Sequence, residues 1–208
     1  MTKLAFLALA PLAVTLMAQT PDNVKPDNVK VDTGQARALV VTEQPHRPGA
    51  MHEHPTSRIQ IYLGAGEMAY TSPSGKVEKI AFKAGDVRWS PAGVRHISEN
   101  VTDHPFQLVE IELKNHPHPF TPSDLDPLKT DPKHYSLEFE NAQVRVLRVR
   151  FAPHEKGVRH DHQLNHIVVY LTDHAKGPAG TVKIEGPDVH SEENPLDHPV
   201  ERIAIDLK

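Results

Sequence analysis

The chain reads H-E-H at His52 to His54, and a third histidine, His96, follows the turn-forming run Pro91-Ala92-Gly93. Strand side chains alternate between faces, so His52 and His54 share one face and Glu53 points away as a surface residue. Three convergent imidazoles can hold a transition metal and leave a coordination position open to a small molecule. Of the 208 residues, 15 are histidine, and most of these are expected at the surface. The pattern of His52, His54 and His96 is what sets those three apart.

Composition excludes several other chemistries. Cysteine is absent, which removes disulfides, thiolate ligands and a cysteine nucleophile. The net charge of −4 gives no basic footprint for nucleic acid. Gly64-Ala65-Gly66 lacks the third glycine of a dinucleotide loop, and Ser74-Gly75-Lys76 runs into Val77 rather than a phosphate-loop hydroxyl. No G-x-S-x-G is present to support a serine elbow.

The N-terminus reads as a leader. Met1-Thr2-Lys3 precedes an apolar run from Leu4 to Met17 that ends at Ala18, too short to span a bilayer and broken by Pro11. Residues 1–18 are therefore expected to be a signal peptide and the mature protein to be exported, periplasmic or extracellular, with no membrane attachment after cleavage. P-D-N-V-K then occurs twice in succession, and residues 19–31 read as a polar, extended tether.

The rest is an internal duplication. His52 and His160 stand 108 positions apart, and so do Arg37 and Arg145, His54 and His162, Ile59 and Ile167, and Tyr62 and Tyr170. Near the end the offset is 94, linking His96 to His190, Asn100 to Asn194 and Leu113 to Leu207. Two copies of one domain follow: lobe 1 at residues 32–115, a linker at 116–133, and lobe 2 at 134–208. Aligning Gly66 to Pro73 with Gly180 to Pro187 gives lobe 2 six extra residues near His174 and removes the equivalent of Gly75 through Val94, the turn that aims His96 included. Nineteen prolines and eleven glycines punctuate alternating runs at residues 38–42, 59–63, 66–71, 77–82, 86–89, 106–113 and 145–151. This is all-β patterning. Residues 123–128 are the one stretch that reads as a short helix.

Gly85, Pro91, Gly93, His96 and Asn100 match every fixed position of G-x5-P-x-G-x2-H-x3-N, the second motif of the cupin family, which the chain resembles. The resemblance implies a double-stranded β-helix (a jelly-roll barrel) in two tandem lobes, the second incomplete. It also implies metal ligands at His52, His54 and His96. The family carboxylate position falls on Ile59, which cannot bind metal; Ile61 and Leu63 share its parity, so that wall of the site is expected to be apolar. Arg58, Gln60 and Tyr62 are then expected on the opposite, solvated or interdomain face. Trp89 reads as core, with a substrate platform as the alternative, and His46 and His154 as turn residues. His160, His162 and His190 repeat the triad, but without the P-x-G turn nothing in the sequence brings His190 to the other two.

Three readings remain open for lobe 1. The triad holds one divalent transition metal (Fe, Zn, Mn, Ni or Cu) for oxygenation or isomerisation of a small polar molecule. Or it is a metal-free binding barrel or interaction module without catalysis. Or the histidines are satisfied by neighbours and serve structure alone. The shortened second lobe should leave strand edges bare, which invites homodimerisation.

Overall fold

A computed structural model describes residues 28–114 and 117–208. The leader and most of the P-D-N-V-K repeat lie outside the described residues. The apolar-polar alternation produces strands almost throughout. Lobe 1 begins with β1 (Val29–Asp32), β2 (Ala36–Glu43), β3 (His52–Glu53), β4 (Arg58–Tyr62) and β5 (Gly66–Thr71). It continues with β6 (Val77–Phe82), β7 (Val87–Ser90), β8 (Arg95–Asn100) and β9 (Phe106–Leu113). Lobe 2 contains β10 (Tyr135–Glu140), β11 (Val144–Phe151), β12 (His160–His162), β13 (His166–Tyr170), β14 (Val182–Glu185), β15 (Asp188–His190) and β16 (Val200–Leu207).

Each lobe is a strand sandwich. In lobe 1 a five-stranded sheet, β1-β2-β9-β4-β7, faces a four-stranded sheet, β3-β8-β5-β6. In lobe 2 the order β10-β11-β16-β13-β14 repeats the first sheet, and the second is reduced to β12-β15. This is the jelly-roll architecture expected, with an incomplete second lobe.

The missing piece differs from the one read from sequence. β14 pairs with β13 (Ile167 opposite Ile184) as β7 pairs with β4 (Ile59 opposite Trp89). The backbone amide of Gly85 bonds Tyr62 O, and that of Gly180 bonds Tyr170 O. Gly180 thus answers to Gly85, not Gly66, and both adopt positive φ, 86° and 81°. Lobe 2 has kept the β7 turn and lost the hairpin β5–β6. The similarity of Gly180–Pro187 to Gly66–Pro73 reflects two Gly-started, strand-like stretches rather than equal places.

The two five-stranded sheets share one core. Val31, Ile59, Ile61, Val109 and Ile111 of lobe 1 cluster with Val146, Ile167, Val169, Ile203 and Ile205 of lobe 2. Val31 is 6 % exposed, so strand β1 begins inside the stretch read as tether. The lobes meet about a pseudo-two-fold: Gly85 abuts the Leu171 side chain, and Gly180 abuts that of Leu63. The segment read as a linker also packs on lobe 2. Its helix, α1, is Pro127–Thr130, later than the stretch expected. Asp126 caps it through Leu128 N, and Pro127 supplies a fixed φ at the first turn.

Candidate metal centre

In lobe 1, β3 pairs with β8 so that His52 lies directly opposite His96. His54 follows two residues on with the same parity. Ring centroids are 4.8 Å apart for His52–His54, 4.7 Å for His52–His96 and 5.8 Å for His54–His96. One nitrogen from each ring lies within 4.8 Å of the others. His52 Nδ1 is 2.8 Å from Ala50 O, which places the proton on Nδ1 and frees Nε2 as a lone-pair donor. Burial, reinforced by the Arg58 charge, lowers His54 to about 3 and His96 to about 4, so both rings are neutral donors at pH 7.

The remaining wall reverses the expected parity. Ile59 and Ile61 are fully buried in the core between lobes. Arg58, Gln60 and Tyr62 therefore point into lobe 1, beside the histidines. They are buried, not solvated. Arg58 forms an ion pair with Glu110, which also accepts from Gln60 at 3.2 Å. Tyr62 stacks on Phe82. Tyr70 of β5 meets His96 edge-on at 5.3 Å, and the Arg88 guanidinium lies 4.8 Å over the Tyr70 ring. Trp89 packs edge-to-face on Phe139 across the lobe boundary, which makes it core rather than a platform. Glu53 is exposed, as expected.

Asn100, the last residue of the second motif, holds the loop behind β8. Its amide nitrogen donates to Glu43 O and His104 O, and its oxygen accepts from Thr102 N. Asn194 repeats the arrangement with Ala152 O, His198 O and Leu196 N. His46 and His154 sit at φ 51° and 56° and bond Asp103 and Asp197, which confirms their turn role.

Lobe 2 assembles a triad too. β12 pairs with β15, and His160 lies opposite His190. Donor atoms of His160, His162 and His190 are within 4.8 Å of one another. The turn that delivers His190 is Gly186-Pro187, which stands where Pro91-Ala92-Gly93 stands in lobe 1. The expectation that His190 is stranded is thus overturned: the β7-like strand survives, and with it the path that returns the chain to β12. His160 Nδ1 bonds Val158 O at 2.8 Å, repeating the tautomer of His52. Burial lowers His162 to about 3.

Solved structures share this fold. AerE from Microcystis aeruginosa superposes with a TM-score of 0.63 at 13 % identity, covering 90 % of this chain and 97 % of that one. A Cupin 2 conserved barrel domain protein from Leptotrichia buccalis superposes at 0.53 with 12 % identity, over 95 % of this chain and all of its own. The chain folds as a cupin. Among curated proteins, the oxalate decarboxylase OxdC of Bacillus subtilis (strain 168) is 36 % identical over 86 residues, 39 % of this chain and 21 % of that protein. This cupin thus spans about a fifth of that relative's length by sequence match. A structure of the Bacillus subtilis oxalate decarboxylase, an enzyme with Mn(II) centres, aligns at a TM-score of 0.56 with 11 % identity, over 83 % of this chain and 68 % of that one. No protein-family model matches.

With two histidine triads on cupin barrels, this cupin's donor sets are consistent with a divalent metal, its identity open. All six donors are nitrogens, which suits borderline ions. Sequence reasoning missed the residues around them. Arg58, Glu110, Tyr70 and Arg88 in lobe 1 carried no signal beyond strand parity, which was assigned the wrong way round. In lobe 2, the Tyr135 hydroxyl donates to Glu192 at 2.7 Å and its oxygen lies 3.0 Å from His160 Nε2, and Arg202 holds Glu192. Burial opposes ionisation of Glu192, but Arg202 and the hydrogen bonds keep its carboxyl well below the usual range. His166 did leave a signal, H-x-H-x3-H, because it stands at the position of Arg58.

Proposed function

We propose that the protein is an exported, metal-dependent cupin that binds a small polar molecule at His52, His54 and His96 and oxygenates or isomerises it. The observation that carries this reading is the convergence of three imidazoles, two of them buried and held neutral, on paired strands. A metal bound there would supply Lewis acidity or oxygen activation. The chain's own residues shape what enters. Arg58, Gln60 and Glu110 give one wall hydrogen-bonding and charged groups, and Tyr70 and Tyr62 give an aromatic one. The partial likeness to an oxalate decarboxylase supports an enzyme acting on a small oxygen-rich molecule, although the match covers a fifth of that protein.

A second reading is favoured by one feature. Arg58, next to the position assigned to the family carboxylate, points a guanidinium into the site, and after burial its charge helps to lower both His54 and His96. A cation there opposes a metal and suits an anion, as in a metal-free binding barrel. Elemental analysis of protein purified without chelator from metal-supplemented cells separates the two. Loss of about one equivalent of metal in His54→Ala and in His96→Ala, relative to the unaltered chain, supports the metal centre; metal content unchanged by either variant favours the binding barrel. Export is tested by fractionation: mature protein beginning near Gln19 in the periplasm or medium is expected, and retention of Met1 to Ala18 on a cytoplasmic product contradicts it.

A further inference from the structure

Lobe 2 contains a second donor group that lobe 1 lacks. His162, His166 and Asp206 offer donor atoms within 4.8 Å of one another, and all three are buried, at 4 %, 3 % and 5 % exposure. His162 and His166 stack with centroids 4.5 Å apart. His166 Nδ1 faces Leu164 O at 3.2 Å, and its Nε2 lies 3.4 Å from a carboxyl oxygen of Glu185, a second acidic neighbour of the ring. Asp206 lies opposite His166 across β13 and β16, and its Oδ1 is buried without a hydrogen-bond partner. An unsatisfied buried carboxylate oxygen is costly unless something supplies the missing charge or donor.

The comparison with lobe 1 shows why the group exists only once. Arg58 stands at the place of His166, and Glu112, opposite Arg58, stands at the place of Asp206. Glu112 pairs with Arg37 at 3.6 Å. The matching arginine in lobe 2, Arg145, is held instead by both oxygens of Asp126. The arginine that pairs with the carboxylate in lobe 1 thus gives its hydrogen bonds to Asp126 in lobe 2, its charge still acting on Asp206 across the strand pair, and a ligand side chain replaces the competing guanidinium of Arg58. An entry path is present as well. A cavity of about 600 Å³, on the side where the β5–β6 hairpin is missing, is lined by His166, Tyr170, Glu185, His190 and Arg202.

We propose that His162, His166 and Asp206 form an inner metal position in lobe 2, which takes a divalent transition ion of borderline hardness such as Fe(II), Co(II) or Zn(II). Two imidazoles and one carboxylate are a donor set suited to such ions, and of the three residues His166 also lines the cavity. The position is separate from the His52, His54, His96 centre and does not depend on it. It shares His162 with the outer triad.

The test uses the full chain with the first-lobe triad disabled by His54→Ala, stripped of metal and titrated with Co(II) by calorimetry and visible absorption. One equivalent is expected to bind. Asp206→Asn, which keeps shape and volume, should weaken binding roughly tenfold or more and alter the d–d bands, and His166→Gln should do the same. His190→Ala, which touches only the outer triad, should cost clearly less. If Asp206→Asn lowers the melting temperature too far to titrate, His166→Gln decides alone. The proposal is overturned if Co(II) affinity survives Asp206→Asn and His166→Gln but is lost in His190→Ala. It is equally overturned if the His54→Ala chain binds no Co(II) while the unaltered chain does, a result that leaves the first-lobe centre standing.

Discussion

Arg58 and His166 occupy the same place in two copies of one strand, each directly opposite an acidic residue, Glu112 or Asp206. One is a guanidinium engaged by Glu110; the other is an imidazole beside a carboxylate oxygen without a hydrogen-bond partner. The duplication therefore preserved the barrel while the interior diverged in charge. Lobe 1 neutralises its interior by an ion pair, and lobe 2 leaves room for a metal to do so.

The ion pair makes lobe 1 sensitive to single deletions. Arg58 is 3 % and Glu110 7 % exposed. Arg58→Ala leaves a buried carboxylate without its partner and should destabilise by about 3–5 kcal/mol. Arg58→Met combined with Glu110→Leu removes both charges at similar volume and should recover most of that loss. Urea denaturation of the three proteins checks this; a double variant as unstable as the single would show that packing, not charge, holds the site.

Ile59→Glu should fail to create a fourth ligand. Ile59 faces the core shared by both lobes, away from the triad, and a carboxylate there has no partner among the described residues of that core. A loss of several kcal/mol, on the order of that for any unpaired buried charge, is expected. Ile167→Glu should behave alike, because Ile167 enters the same core from the other lobe. Co(II) affinity of the folded fraction should not rise in either variant.

Much of the fold was legible because strand alternation, turn residues and the duplication all act locally. His52 and His96 were legible because an H-x-H pair and a Pro-x-Gly turn constrain the chain on either side. The parity of β4 was not. Arg58-Ile59-Gln60-Ile61-Tyr62 alternates cleanly, but alternation cannot tell which face meets the ligands when the other face is also buried. Both faces of β4 are covered, one by the barrel interior and one by the second lobe, so the apolar face was taken for the site. His190 was missed for a related reason. Matching Gly180 to Gly66 hid the survival of a β7-like strand, which only the ladder between β13 and β14 reveals.

The boundary between lobes should resist even one methyl group. Gly85 and Gly180 have φ of 86° and 81°, and a Cβ at either would meet Leu171 at 3.3 Å or Leu63 at 3.5 Å. Gly85→Ala and Gly180→Ala should each cost about 1–2 kcal/mol from backbone conformation alone. Gly34→Ala, with open space around its Cβ, is the control and should be near neutral. Equal melting temperatures for Gly85→Ala and Gly34→Ala would contradict the left-handed conformation of Gly85.

Metal-free protein should lose stability as pH falls below about 6.5. His54, His96 and His162 are held near 3, 4 and 3 against an ordinary value of 6.5, with burial the leading cause. Between these values the unfolded chain binds protons that the native state refuses, so acid favours unfolding. Each ring contributes up to about 1.4 kcal/mol per pH unit within its window. Asp206 acts in the opposite sense. Burial raises its carboxyl to about 6 from 3.8, so the native state takes up its proton first and gains stability as pH falls through that range. His160 and His174, also lowered, act with these three rings, and Glu43, Glu110 and His190, raised, act with Asp206; the large shifts of His54, His96 and His162 leave a net loss. Urea midpoints of chelator-treated protein at pH 7.5 and pH 5 should fall accordingly, and His54→Ala should flatten the slope. A midpoint that rises toward pH 5 would mean that the rings are charged in the native state and cannot serve as neutral metal donors.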